Sequence, residues 1–405
     1  MKRPFRVRMA GPLRTYAAGF ARELSRQGYR PKSVKLQLRL MAHASCWLAA
    51  NKLSVKVFGA PEIDEFLKTR RAEGYTRYVS PKAMAPLHSY LRTLGVVPVA
   101  TASIDRGPAE LLLDRYRRYL TVERGISAKT IATYLWAVRP FLEFAISASE
   151  REHQLARLAE ADVIAYVVAR CRQQRRGAAK LTVTALRSLL HFLHLDGVIK
   201  RPLAGVVPSV ASYSFSSLPK ELSLREVEQL LASCSRHTVR GRRDFAMLTI
   251  LVRLGLRAGE VAAMQLGDID WRAGEISIGG KGKRPERLPL PDDVGRAVAV
   301  YLRHGRPASC HDRSVFVRLK APHHGLSSAG VSSVVAVAAR RAGLGKVHAH
   351  RLRHTVAGRL IEAGASLPEV GQLLRHRSLL TTAIYAKIDR AALRAIARPW
   401  PTTKP

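Results

Sequence analysis

The sequence predicts a mainly α chain of the α+β kind, with helical modules first and then a larger domain that carries a small β-sheet. Three observations predict it. Apolar residues recur at helical spacing through the first half of the 405 residues, and a Ser- and Pro-rich break interrupts them at 208–219. Beyond that break the helical period gives way briefly to two strand-like runs near 275–290 before it returns. The length exceeds the roughly 100–200 residues of one ordinary domain, so several domains, each with its own core, are expected.

The helical half reads twice. Phe20-Ala-Arg-Glu-Leu24 is followed by Gly28-Tyr29-Arg30-Pro31-Lys32-Ser33 and by Leu36, Leu40, Met41 and Trp47. The same order returns as Tyr116-Arg-Arg-Tyr-Leu120, then Gly125-Ile-Ser127-Ala-Lys129-Thr130, then Tyr134, Leu135, Val138, Phe141 and Leu142. Both passes close alike, on Gly95-Val96-Val97 and Gly197-Val198-Ile199. Two related helical modules are therefore expected, at 1–105 and 106–206, with a linker at 207–222.

A third domain is expected at 223–395, leaving a short tail at 396–405. Ser223 with Glu226 forms a capping-box pattern that opens a helix with Val227, Leu230 and Leu231 on its apolar face. Phe245, Leu248 and Val252 mark a buried helix that stops at Gly255, and another begins near Ala258 and runs through Val261 and Met264. Glu275–Ile278 and Arg287–Leu290 are the strand candidates, joined by the Gly-rich turn 279–283. Pro289 and Pro291 place the second of them at an edge or end. Helical spacing returns from Val331 to Ala342, His350 to Ala363 and Leu367 to Leu374, and a short last helix carries Tyr385.

Charge narrows the function. Lys and Arg number 68 against 30 Asp and Glu, a formal net charge of +38. Such an excess repels itself unless a polyanion neutralises it, and nucleic acid is the obvious candidate. The basic residues run the length of the chain instead of forming one amphipathic helix, which argues against a membrane-surface protein. No apolar run approaches the ~20 residues of a membrane span, and Arg14 breaks any leader-like apolar stretch. The cysteines Cys46, Cys171, Cys234 and Cys310 lie far apart, with no CxxC pair. A cytoplasmic, DNA-binding protein is the expectation.

Four segments of the third domain concentrate polar residues. Leu254-Gly-Leu-Arg257-Ala-Gly-Glu260 sets an Arg at a helix-to-helix turn, with a Glu on the same face of the next helix. The planar fork of Arg suits a phosphate clamp, although a surface turn pairing Arg with Glu reads the same way. Gly280-Lys281-Gly282-Lys283-Arg284 makes a cationic hairpin tip whose lysine contacts DNA or donates a proton to a leaving oxygen; a solvated turn fits equally. In His348-Ala-His350-Arg351-Leu352-Arg353-His354, the side chains of His350, Arg353 and His354 share one helical face. With neighbouring arginines and no carboxylate, that face fits an anion better than a metal ion. Leu373-Leu374-Arg375-His376 precedes Tyr385, which in isolation reads as a half-buried helix filler.

In order, these segments resemble the tyrosine recombinase family, the phage-integrase and Xer-like site-specific recombinases. The resemblance rests on Gly-Leu-Arg-x-x-Glu at 255–260, Gly-Lys-Gly at 280–282, His-x-Leu-Arg-His at 350–354 and His-(x)8-Tyr at 376–385. It covers about 225–390 as the catalytic domain. The helical module at 106–206 resembles the family's SAM-like core-binding domain, and the first module would be a second of that kind.

The resemblance implies a site-specific recombinase or integrase that cleaves and rejoins DNA through a 3′-phosphotyrosyl bond, for integration or transposition of a mobile element. Tyr385 would be the nucleophile and Arg257 and Arg353 the phosphate clamp. Lys281 would be the general acid, His350 the base or proton carrier, and His376 a phosphate ligand. Glu260 would orient Arg257, and His354 would support the site from behind. Lys32, Lys129, Thr130, Lys283, Arg284 and Arg375 are the candidate DNA contacts. No metal and no cofactor are expected, since side chains supply the cations and the covalent link conserves the phosphodiester energy. The expected partners are double-stranded DNA and further copies in a homotetramer, with or without partner recombinases, and no membrane.

One position departs from the family pattern: Arg375 stands where members usually have Gly, so its side chain must point away from the site or add a phosphate contact. Two other classes fit part of the pattern, a non-cleaving architectural or regulatory DNA-binding protein and a type IB topoisomerase-like activity.

Overall fold

The computed structural model describes residues 9–97, 107–146, 152–211, 221–279, 285–375 and 382–386. The chain divides into two compact units, one of residues 101–213 and one that combines 1–100 with 214–405.

The first helical module comprises α1 (Ala17–Arg26), α2 (Pro31–Ala50), α3 (Ala60–Ala72) and α4 (Pro81–Thr93). Pro31 and Pro81 open α2 and α4, where the missing N–H costs nothing and the fixed φ is already helical. Of the apolar positions read from the sequence, Phe20, Leu24, Leu40, Met41 and Leu91 meet in one core with Phe66 and Leu87, Trp47 packs against it, and Leu36 is exposed. This module shares its unit with the C-terminal region, and the His323 backbone N–H donates to the Gln27 carbonyl at 3.4 Å.

The second module repeats the order with α5 (Pro108–Val122), α6 (Ala128–Ile146), α7 (Glu160–Arg172) and α8 (Arg176–Leu195). Tyr116, Leu120, Val138, Phe141, Leu186 and Leu190 form its core, and the rings of Tyr116 and Phe192 lie 5.3 Å apart. Ser127 starts α6, its hydroxyl accepting from the Thr130 N–H at 3.3 Å and pairing with the Thr130 hydroxyl at 3.0 Å.

The C-terminal region contains α9 (Leu224–Ala232), α10 (Val239–Leu254), α11 (Ala258–Ala263), β1 (Ile269–Asp270), β2 (Glu275–Ile278), β3 (Glu286–Pro289), α12 (Asp292–His304), α13 (Ser328–Arg341), α14 (Ala349–Glu362) and α15 (Leu367–Leu373). Ser223 caps α9, accepting from the Glu226 N–H at 3.2 Å while Glu226 takes the Ser223 N–H at 2.7 Å. α10 is the spine: Met247, Leu248, Ile250 and Leu251 are wholly buried, each contributing about 2 kcal/mol through burial. The sheet is antiparallel in the order β1-β2-β3, with Ile276 opposite both Ile269 and Leu288. Pro289 sits on the edge strand, as a residue without an N–H must.

Among the elements not read from the sequence are α3, α7, the two-residue β1 and all of α12. The second strand begins at Glu286, earlier than expected, and the expected last helix is a 3₁₀ turn, Ala383–Tyr385, among the described residues. Most of the linker and the tail 396–405 lie outside the described residues.

Candidate active site

The site is assembled from helix ends. α10 stops because Gly255 turns left-handed, at φ +57°, and a Cβ there would also lie 2.8 Å from Leu374 Cδ2. The turn leaves Arg257 as the residue that caps α11. A guanidinium cannot accept a hydrogen bond, so only half of a capping box forms: Glu260 Oε2 takes the Arg257 backbone N–H at 2.7 Å. Glu260 Oε1 takes the Arg257 side chain at Nη1, also at 2.7 Å. Arg257 Nη2 donates to the carbonyl of Arg375 at 3.1 Å. Glu260 therefore holds Arg257 at both its backbone and its side chain. Burial alone would raise the Glu260 carboxyl, yet the Arg257 N–H and the cations of Arg375 and Arg257 bring it below the ordinary range.

Arg353, on α14, is 1% exposed. Nη1 donates to the Gly255 carbonyl at 2.7 Å, and Nη2 donates to the Leu374 carbonyl. One guanidinium thus ties the C-terminus of α10 to that of α15, satisfying carbonyls that helix ends leave open. Burial and the neighbouring Arg257 bring its pKa down to about 10, so it stays charged at neutral pH.

The phenol of Tyr385 is also 1% exposed, packed with Val356, Ile361, Val370 and Leu374. Its oxygen lies 2.7 Å from His354 Nδ1, with the two rings edge to face at 5.5 Å. Burial pushes the phenol up to about 12, with Arg353 opposing, and burial together with His350 and Arg353 pulls His354 down to about 4. Both groups are neutral near pH 7, an arrangement suited to the phenol O–H donating to Nδ1. The sequence put His350 beside the nucleophile and His354 behind it; here the contact belongs to His354. His350 keeps one side open to solvent while its ring meets His354 edge-on at 4.4 Å; the partial loss of water on that packed side, with Arg353 and Arg257 nearby, lowers its pKa.

A cleft of about 770 Å³ opens between these parts, lined by Arg257, Glu260, His350 and Arg353. Ser328, Ser332 and His348 line it too and were given no role from sequence. Ser328 begins α13 and His348 caps α14, so the positive ends of two helices face the cleft. The Ser327-Ser328 pair ahead of the apolar period was the available signal. Tyr385 is not among the residues lining the cleft.

Arg375 takes φ +55°, a left-handed position of the kind glycine occupies, and its side chain is 7% exposed and turned onto Glu260. It was expected to point away from the site or to add a phosphate contact; here the side chain lies against Glu260. Lys32 and Lys129 are both exposed, in the first turns of α2 and α6. The Thr130 hydroxyl is engaged by Ser127. Lys281, Lys283, Arg284 and His376 lie outside the described residues.

Known proteins share this pattern. The profile of the Phage integrase family matches residues 220–391, and that of the Phage integrase N-terminal SAM-like domain matches 113–197. The chain is 38% identical over 396 residues to "Putative integrase/recombinase y4rA" of Sinorhizobium fredii, covering 96% of this chain and 95% of that one. It is 32% identical over 292 residues to tyrosine recombinase XerD of Listeria monocytogenes, covering 70% of this chain and 96% of the relative. In fold it is similar to XerH site-specific recombinase bound to palindromic difH substrate, with a TM-score of 0.58 and 20% identity over 82% of this chain and 93% of that one. A lambda integrase tetramer bound to a Holliday junction gives a TM-score of 0.53 at 18% identity, over 82% of this chain and 90% of that one.

Proposed function

Because the chain belongs to the tyrosine recombinases of the phage integrase family, site-specific enzymes acting on DNA, we propose that it opens and reseals duplex DNA with Tyr385 as nucleophile. One observation carries the assignment: Arg257, His350 and Arg353 converge on one cleft, while the residue after Arg353 holds the phenol of Tyr385.

The phenol oxygen bonds to phosphorus as the bond to the 5′ oxygen breaks, leaving a 3′-phosphotyrosyl link and a free 5′-hydroxyl. Charge that grows on the non-bridging oxygens is met by Arg257 and Arg353, held by carbonyls and by Glu260 before substrate arrives, so little reorganisation is needed. A phenol with a pKa near 12 needs a base. His354 is in hydrogen-bond contact, and His350 beside it carries the proton onward. The leaving oxygen takes a proton from Lys281, and His376 bonds the phosphate, both roles resting on the motifs. Resealing is the same step reversed.

The helical modules grip the duplex through phosphates, Lys32 and Lys129 among the contacts, so affinity falls steeply with salt. Four copies acting on two paired sites would complete strand exchange, in the cytoplasm, for the integration or transposition of a mobile element.

The test is covalent trapping. Protein and its Tyr385→Phe variant are mixed with nicked duplexes from the DNA flanking the coding region, and resolved on a denaturing gel. A DNA-linked band is expected from the parent alone. A band that persists in the variant names the wrong tyrosine, and salt-sensitive binding without any band on cleavable sites supports a non-cleaving protein.

A further inference from the structure

Arg375 carries more contacts than the glycine usual at its position can make. Its N–H donates to the Gln372 carbonyl at 2.9 Å, ending α15, and its φ of +55° is a conformation that residues with a Cβ adopt reluctantly. The side chain then folds inward. Nη2 donates to Glu260 Oε2 at 2.9 Å, Nη1 to the Leu373 carbonyl at 3.2 Å, and Nε lies 4.0 Å from Glu286 Oε2. The Arg375 carbonyl accepts from Arg257 Nη2 at 3.1 Å. A glycine would keep the two backbone contacts and lose the three made by the side chain.

Arg257 is thus held at two points, and Arg375 stands at both: directly through its carbonyl, and indirectly through Glu260. The carboxylate sits between two guanidiniums, so Arg257 is less neutralised by Glu260 than it would be as the sole partner. The side chain also faces Glu286, which opens β3. We propose that Arg375 is a positioning residue that braces Glu260 so that Arg257 stays aimed at the scissile phosphate.

This rests on the reading of the cleft as the phosphoryl-transfer site, and the test separates the two. Full-length parent, Arg375→Gly, Arg375→Lys and Tyr385→Phe are compared on the same nicked duplexes. Covalent-complex formation is followed in single turnover at saturating DNA, affinity by fluorescence anisotropy, and folding by thermal unfolding. Arg375→Gly is expected to stay folded, because glycine suits the φ. Its Kd should remain within about twofold while its single-turnover rate falls about tenfold or more, the effect of a loosened phosphate clamp. Arg375→Lys, which still reaches one carboxylate oxygen, should recover part of the rate.

The pH profile supplies a readout that a purely structural role would leave still. Glu260 is faced by Arg257 at the start of α11, by Arg375 after α15 and by Arg353 from α14, with Glu286 on β3 beyond Arg375. Removing Arg375 takes away a cation that keeps Glu260 ionised, so the acid limb of the rate profile should move to higher pH. An unchanged rate and acid limb in Arg375→Gly would overturn the proposal. So would a loss confined to Kd, which would make Arg375 a DNA contact. A parent that binds but forms no covalent complex, or a Tyr385→Phe variant that does form one, would instead strike the underlying assignment.

Discussion

The cationic half of the site and its nucleophile half are buried alike but titrate differently. Arg353 and Tyr385 are each 1% exposed. Arg353 gives its donors to two carbonyls and remains charged, and Glu260, between two guanidiniums, stays below the ordinary carboxylate range. Tyr385 and His354 contact each other, and burial favours the neutral form of both, to about 12 and about 4. Burial favours the neutral form of every group here, and only the guanidiniums and the paired carboxylate keep their charge at neutral pH. The molecule is therefore charged where a phosphate would rest and neutral where the attack begins.

The largest way to break this contrast is Arg353→Met, which removes the charge and strands the Gly255 and Leu374 carbonyls. A loss of roughly 10³ in covalent-complex rate is expected, with about 3 kcal/mol of stability lost because buried acceptors go unpaired, read by single-turnover kinetics and denaturant unfolding. Arg353→Lys keeps a cation but not the fork, and should fall between.

On the nucleophile side, His354→Phe removes the acceptor of the phenol proton. The rate should fall about 10²-fold. The same group makes a pH prediction. Its folded pKa of about 4 lies below the ordinary imidazole value of 6.5, so between them the unfolded chain binds more protons than the native one. Stability should therefore fall as pH drops through that window, and level off below it. Thermal unfolding as a function of pH measures this slope, and His354→Phe should flatten it.

Gly255→Ala places a Cβ at a positive φ and against Leu374. It should cost about 2 kcal/mol through backbone strain and crowding, with a rate loss because Arg257 and the carbonyl under Arg353 both move. The smallest effect belongs to Glu226→Ala, away from the cleft. It should cost about 1 kcal/mol through the lost cap and leave the single-turnover rate alone, showing that the other losses are not those of stability in general.

The features legible in the sequence were those that depend on near neighbours. Ser223 with Glu226 marked the start of α9, Gly255 the end of α10, and the apolar periods the cores of both four-helix modules. Arg257 with Glu260 was readable because the pair is three residues apart on one face. α12 went unread although Val294, Ala297, Val298 and Tyr301 fall at helical spacing, because Pro289 and Pro291 directly ahead of it carry the signal of a strand end. What could not be read was long-range. Nothing local tells that Arg375 bonds to Glu260 across the fold, or that His354 and not His350 meets the phenol. The helical face shared by His350, Arg353 and His354 was correct in kind, but three tertiary environments divide its work.

The most direct test of the central claim is to find the atom that carries the DNA. The trapped complex would be digested with protease and nuclease, and the nucleotide-bearing peptide sequenced by mass spectrometry. The account predicts a single modified residue, Tyr385, joined to a 3′-phosphate, with a free 5′-hydroxyl on the released strand. An adduct on any other residue, or a 5′-phosphate linkage on Tyr385, would contradict it.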